Sequence, residues 1–204
     1  MGSVSDIVVQ LHRQPEADVD EIFVRRWSPR AMSGEAISEP ELRTLFEAAR
    51  WAPSCFNGQP WRFVYARRET QPWRAFFELL AEGNQRWAHR AAVLVIVVSR
   101  LTFEHDGSPC STHGYDAGAA WGYLALQASL SGLVAHGMRG FDHERARAML
   151  DAPDEYAVQA MVAIGRPGRV EDLPERLQAR EVPSGRKPLA ELAFEARLPA
   201  TRSR

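Results

Sequence analysis

Apolar residues along the chain recur at helical spacing in some stretches and run unbroken in others, and these patterns predict an order of elements. Leu42, Leu45, Phe46 and Ala49 mark one helical face. They follow Ser38-Glu39-Pro40-Glu41, where Ser and Glu three apart with proline between them predict a capped helix start. Pro53 ends that helix, and Trp61 to Ala66 reads as a strand. Trp73, Phe76, Phe77 and Leu80 predict a helix started by Pro72, followed by a short helical piece around Gln85 to His89. Ala91 to Ser99 is apolar on both faces, which predicts a strand inside its sheet rather than at an edge.

Upstream, Asp18 with Glu21 resembles a capping pair before Ile22 and Phe23, and Pro29 stops that helix. Residues 101 to 115 are polar and contain Gly107, Pro109 and Gly114, the pattern of a mobile surface loop. A helix is expected from about Asp116 to Leu130, closed by Gly132. Its Ala117, Gly118, Ala119, Ala120, Gly122, Ala125 and Ala128 suit either a buried core helix or close packing against a twin subunit. Val134 to Met138 reads as a strand, Asp142 as the cap of a helix to about Leu150, and Ala157 to Ile164 as another strand. Gly165 to Pro188 predicts an extended arm, and Leu189 to Leu198 a terminal helix or strand. No repeat or boundary divides the chain. The expectation is one domain over residues 1–204, with an N-terminal extension (1–17) and a C-terminal arm (165–204).

Composition narrows the function classes. With 204 residues, 45% hydrophobic and 25% charged, the chain falls in the globular range. No run reaches the ~18–20 apolar residues of a membrane span, and no secretory signal pattern is visible. Cys55 and Cys110 make no disulfide framework, so a reduced, cytoplasmic setting is expected. A net charge of -1 argues against a nucleic-acid partner. Lys187 is the sole lysine among the 25 basic residues, and arginine is the residue suited to forked recognition of phosphate.

Two stretches carry candidate chemistry. Ala52-Pro53-Ser54-Cys55-Phe56-Asn57-Gly58-Gln59-Pro60-Trp61 reads as a tight loop, and Ser54, Asn57 and Gln59 offer the donors and acceptors that line the edge of a flat heterocycle. Arg25-Arg26-Trp27-Ser28-Pro29-Arg30 sets two guanidiniums, Arg26 and Arg30, four apart around a hydroxyl. The chain has neither G-x-G-x-x-G nor G-x-x-x-x-G-K-[ST], so a bound phosphate has to be held by arginines, with Arg186 a distant third. Read singly, the loop is an ordinary helix-to-strand connection and Arg25 and Arg26 a solvated helix end. Cys55 has no adjacent histidine and reads as a small packed cysteine. His105, Asp106, Cys110, His113 and Asp116 match no zinc spacing, so no metal is expected.

Taken in order, R-R-W-S-P-R-A, then A-P-S-x-x-N-x-Q-P-W, then M-R-G-F-D after an Ala/Gly-rich helix resemble the nitroreductase-like flavoproteins over roughly residues 20 to 190. The resemblance implies an α+β fold, a three-layer sandwich with a central, mostly antiparallel sheet flanked by helices. It also implies a homodimer holding FMN at the subunit interface. By similarity, Arg26, Trp27, Ser28 and Arg30 hold the phosphate and part of the ring edge. Pro53, Ser54, Asn57 and Gln59 lie along the flavin, the first ones from the other subunit. Asn84 bonds the ring or ribityl chain, the Met138-Arg139-Gly140 turn brings backbone to flavin N5, and Arg186 closes on the phosphate. The implied activity is ping-pong hydride transfer from NADPH or NADH to a nitroaromatic, quinone or similar small oxidant, with no catalytic side chain of the protein's own. A flavin-binding module without turnover is the alternative. Two departures from the family stand out: Trp27 replaces a small or basic residue, and Arg139 replaces an acidic one. The Arg139 charge bears on the choice between NADPH and NADH, and on anionic substrates.

Overall fold

The computed structural model describes residues 2–199, and its centre is a four-stranded, wholly antiparallel sheet in the order β1-β2-β4-β3. The strands are β1 (Trp61–Arg67), β2 (Val93–Arg100), β3 (Val134–Met138) and β4 (Tyr156–Gly165). Every β2 residue from Val93 to Ser99 is buried, and β2 pairs on both sides, Val95 opposite Tyr65 of β1 and Val162 of β4. The unbroken apolar run predicted this interior position, because only a strand covered on both faces avoids exposing half its side chains.

Alternation along the strands divides the core in two. Leu94, Ile96 and Val98 point to one face with Met161 and Ala163, under α3 (Trp73–Leu79), α4 (Glu82–Ala88) and α6 (His143–Met149). Val93, Val95 and Val97 point to the other with Val162 and Ile164, under α2 (Glu39–Arg50) and α5 (His113–Leu130). The result is the expected helix–sheet–helix sandwich. Each buried Val, Leu or Ile contributes roughly 1.5–3 kcal/mol, so this double burial is the main cohesive term.

The local signals mostly coincide with the observed boundaries. Ser38 and Glu41 form the reciprocal capping box of α2, Asp142 caps α6, and Gly132 turns the chain after α5 at φ +67°. Three details differ. The cap of α1 (Glu21–Arg25) is Asp20, whose carboxylate accepts the Ile22 N–H, rather than Asp18. The 101–115 stretch is partly structured: Thr102 bridges Pro109, and α5 begins at His113. Leu189 to Leu198 forms neither full helix nor strand, only a single turn at Leu189–Glu191. Its apolar side chains find nothing to bury against; Leu189, Leu192 and Leu198 are all exposed. The preceding arm is extended apart from a turn at Val170–Asp172 and the short α7 (Glu175–Gln178). The N-terminal extension is tied to the arm's first residues, with Ser3 bridging Arg169 and the Val4 N–H donating to Gly168.

Candidate functional site

Helix α1 ends at Arg25, and the chain leaves it through Arg26 in an extended conformation, with residues 26–30 outside any helix or strand. Arg25 points to solvent and pairs with Glu21 at 3.2 Å, the solvated helix end anticipated for it. Arg26, Trp27, Ser28 and Arg30 instead line a pocket of about 420 Å³, together with Arg13, His136, Arg180, Val182, Ser184 and Arg186. Five guanidiniums thus converge from the N-terminal extension, the segment after α1 and the C-terminal arm. Trp27 both walls this pocket and packs against the core.

The pocket's electrostatics are lopsided. Arg30 pairs with the buried Glu181 at 3.2 Å. Among the described residues, Arg13, Arg26, Arg180 and Arg186 have no carboxylate partner. Arg13 is held by carbonyls instead, donating to Val24 at 2.7 Å, Arg26 at 2.8 Å and Ser184 at 2.9 Å. Burial, and then the nearby charges of Arg186 and Arg26, pull its pKa down to about 10. Burial and Arg186 likewise lower that of Arg26, which donates to Ser28 Oγ at 3.2 Å. Burial and crowded like charges thus make this a strongly positive cleft. His136 closes the back wall from β3. Its Nδ1 lies 3.1 Å from the Pro29 carbonyl. Burial lowers its pKa against the opposing pull of Pro29, so it is neutral near neutral pH.

From this pocket two neighbouring elements lead to a second group of expected residues. The His136 ring packs against Trp87 of α4, centroids 4.7 Å apart. One turn back on α4, Asn84 donates to the Gly140 carbonyl at 2.9 Å, just past the end of β3. Gly140 also accepts the Ala81 N–H at 2.9 Å. A Cβ there would sit 3.0 Å from the Asn84 side-chain amide, a contact tight enough to press on the Asn84–Gly140 bond. Met138 is buried in the core, which leaves only its backbone for a ligand, whereas Arg139 and Gly140 are exposed.

The Pro53–Gln59 loop stands apart. None of its residues lines the basic pocket of its own chain. It packs on the N-terminal end of α5, where the buried Asp116 accepts the Cys55 N–H at 3.1 Å, and Phe56 meets Phe103 edge-on at 5.8 Å. Phe56, Asn57 and Gln59 all have positive φ, so the loop is a fixed, strained shape. Ser54 Oγ accepts the Gln59 N–H, and the Pro53, Asn57 and Gln59 side chains are exposed. The polar residues of the 101–116 region have structural partners: His113 meets Ser99 Oγ at 2.8 Å, and Thr112 donates to Asp116.

Sequence reading missed Arg13, His136, Arg180 and Glu181. Arg13 and Arg180 are unremarkable arginines in weakly patterned segments. Glu181 lies 151 residues from the Arg30 it pairs with.

Comparison with known proteins gives the family and the fold. The chain is 32% identical over 181 residues to a Thermus thermophilus protein named NADH dehydrogenase, spanning 75% of this chain and 88% of that one. A solved structure described as an oxidoreductase containing FMN superposes with a TM-score of 0.89 at 50% identity, covering 93% of this chain and 97% of the other. A structure from Desulfovibrio desulfuricans, in complex with FMN, superposes with a TM-score of 0.68 at 27% identity, covering 91% and 100%. The family model described as Nitroreductase family matches residues 24–166, and this chain belongs to that family.

Proposed function

We propose that the chain is an FMN-dependent NAD(P)H oxidoreductase that works as a homodimer. The observation that carries the reading is the cleft around Arg26 and Ser28, where Arg13, Arg26, Arg180 and Arg186 have no carboxylate partner among the described residues, which fits the phosphate of FMN. FMN-containing structures with the same fold support it.

In this reading Arg13, Arg26, Arg180 and Arg186 neutralise the phosphate. Asn84 and the exposed Gly140 backbone face the ribityl chain and ring, with Asn84 fixed by its bond to Gly140. Bound FMN supplies the two-electron exchange between nicotinamide and a small oxidant such as a nitroaromatic or quinone. The protein's part is to anchor the cofactor, frame its edge with amides and leave one face open to each substrate in turn. Arg139, exposed beside Gly140, places positive charge at that open face and favours a 2′-phosphate on the nicotinamide.

The dimer follows from what one chain leaves apart. None of the Pro53–Gln59 loop lines the pocket of its own chain; in this reading Pro53, Ser54, Asn57 and Gln59 reach a flavin at a subunit interface. The outer face of α5 supports this: Tyr115 and Tyr123 are exposed, and a Cβ on Gly118 or Gly122 would meet nothing within 4 Å. Among the described residues no helix is long and apolar enough to cross a membrane.

The test is direct. The chain incubated with FMN and desalted should be yellow and run as a dimer, and anaerobic NADPH or NADH should bleach the flavin band. A band that persists with both donors would show a flavin-binding module without turnover. A colourless chain after excess FMN would end the reading.

A further inference from the structure

The C-terminal arm brings Arg180 and Arg186 to the basic pocket, yet little of it is buried. From residue 179 to residue 190 only Glu181 and Pro183 are. Glu181 is fully shielded, and a carboxylate out of water is costly unless its lone pairs are engaged. Here they are. Oε1 accepts the backbone N–H groups of Arg30 and of Ala31, the latter at 2.9 Å, and Oε2 accepts the Arg30 guanidinium at 3.2 Å. A residue of the arm is thus bound to the backbone at the end of the Arg26–Arg30 string, and the residues around it line the pocket.

We propose that Glu181 is a positioning residue: it latches the arm to the backbone at Arg30 and Ala31, and so delivers Arg180 and Arg186 to the phosphate of the bound flavin. The inference rests on the FMN reading above. It runs against simple electrostatics, because Glu181 is an anion beside an anion site. If charge alone mattered, removing it would tighten phosphate binding. If the latch matters, removing it weakens binding, because two arm guanidiniums are released. The sign of the change separates the two.

Two variants divide the contributions. Glu181→Ala removes every bond to Arg30 and Ala31. Glu181→Gln keeps an oxygen at Oε1 for both backbone N–H groups but turns an NH2 toward the Arg30 guanidinium in place of Oε2, so the ion pair and its hydrogen bond are lost. Affinity for FMN and for riboflavin, which lacks the phosphate, is measured by flavin fluorescence quenching. Tryptic cleavage after Arg180 and Arg186 is timed in the flavin-free chain.

For E181A the expected result is FMN binding weakened by ~10-fold or more, riboflavin binding within about twofold of wild type, and faster cleavage in the arm. E181Q, which keeps both backbone bonds, should lose less FMN affinity and less protection of the arm than E181A, with riboflavin binding again close to wild type. FMN binding that is unchanged or tighter in E181A would overturn the latch, as would an equal loss for FMN and riboflavin. Should E181A fail to fold, E181D, one methylene too short to reach both N–H groups, is read by the same criteria. A wild-type chain that binds no FMN would refute the cofactor reading instead, and tryptic cleavage alone would then decide whether the arm is latched.

Discussion

Replacing Arg26 by glutamine should weaken cofactor binding without weakening the protein. The Arg26 guanidinium lies in the pocket with Ser28 Oγ at 3.2 Å and has no carboxylate partner among the described residues. Burial, with repulsion from Arg186 next, holds its pKa below the ordinary value. The sign follows from linkage: a base whose pKa is lower folded than unfolded makes the folded chain less stable while it carries its charge. R26Q removes that charge, so the melting temperature of the flavin-free variant should equal or exceed that of wild type. FMN, by contrast, loses a charge-assisted donor to its phosphate. Such a bond is worth about 1.5–3 kcal/mol, or roughly 10–150-fold in Kd, and the part-exposed setting places the effect toward the lower end. Fluorescence titration with FMN and riboflavin reads this, and the difference between variant and wild type should shrink as salt rises. FMN affinity within about twofold of wild type would refute the assignment of Arg26 to the phosphate. An equal loss for riboflavin would assign it to packing.

Four further predictions concern the scaffold. Ser38→Ala breaks the capping box of α2 and should cost about 1 kcal/mol, lowering the melting temperature by about 2–4 °C. Glu41 is held at about 2 by the Ser38 N–H, then the Ser38 hydroxyl, then Arg166. Its contribution is therefore present above the ordinary glutamate value and lost as pH falls toward 2, and Glu41→Gln should flatten the acid limb of a melting-temperature profile. Gly168→Ala places a Cβ 2.4 Å from the Met32 carbonyl carbon, backbone against backbone where the arm leaves the core. Overpacking of this kind should cost about 1–3 kcal/mol in chemical denaturation, and a neutral result would show that the two segments part freely. Burial keeps His136 neutral in the folded chain, with Pro29 opposing and Arg30 assisting. Its stabilisation is present above the unfolded imidazole value and is lost as pH falls below ~6.5. His136→Gln should make stability less steep in pH over that window, and an unchanged slope would assign the acid sensitivity elsewhere.

The sandwich was legible because its determinants are local. An apolar run from Val93 to Val98 can only be an interior strand, a Ser–Glu pair around Pro40 caps its own helix, and Gly132 closes the turn it occupies. The ordered strings around Arg26, Ser54 and Met138 identified the family for the same reason, since each is a short contiguous signal. Local rules failed where the chain had a choice between near neighbours, Asp20 over Asp18 at the start of α1, and where a tail had nothing to pack on, Leu189 to Leu198. The pocket was only half visible. Arg26, Ser28 and Arg30 announce themselves together, but Arg13 reaches it through a carbonyl 171 residues away, and Glu181 meets Arg30 across 151. No periodicity links residues so far apart. Their meeting depends on the sheet bringing β3 and the end of α1 together, and on an arm folding back over both. Tertiary structure also decided that the Pro53–Gln59 loop and the basic cleft lie apart within one chain. Sequence shows both stretches but not their placement, which the path of the backbone sets, held by Asp116 at one end and Glu181 at the other.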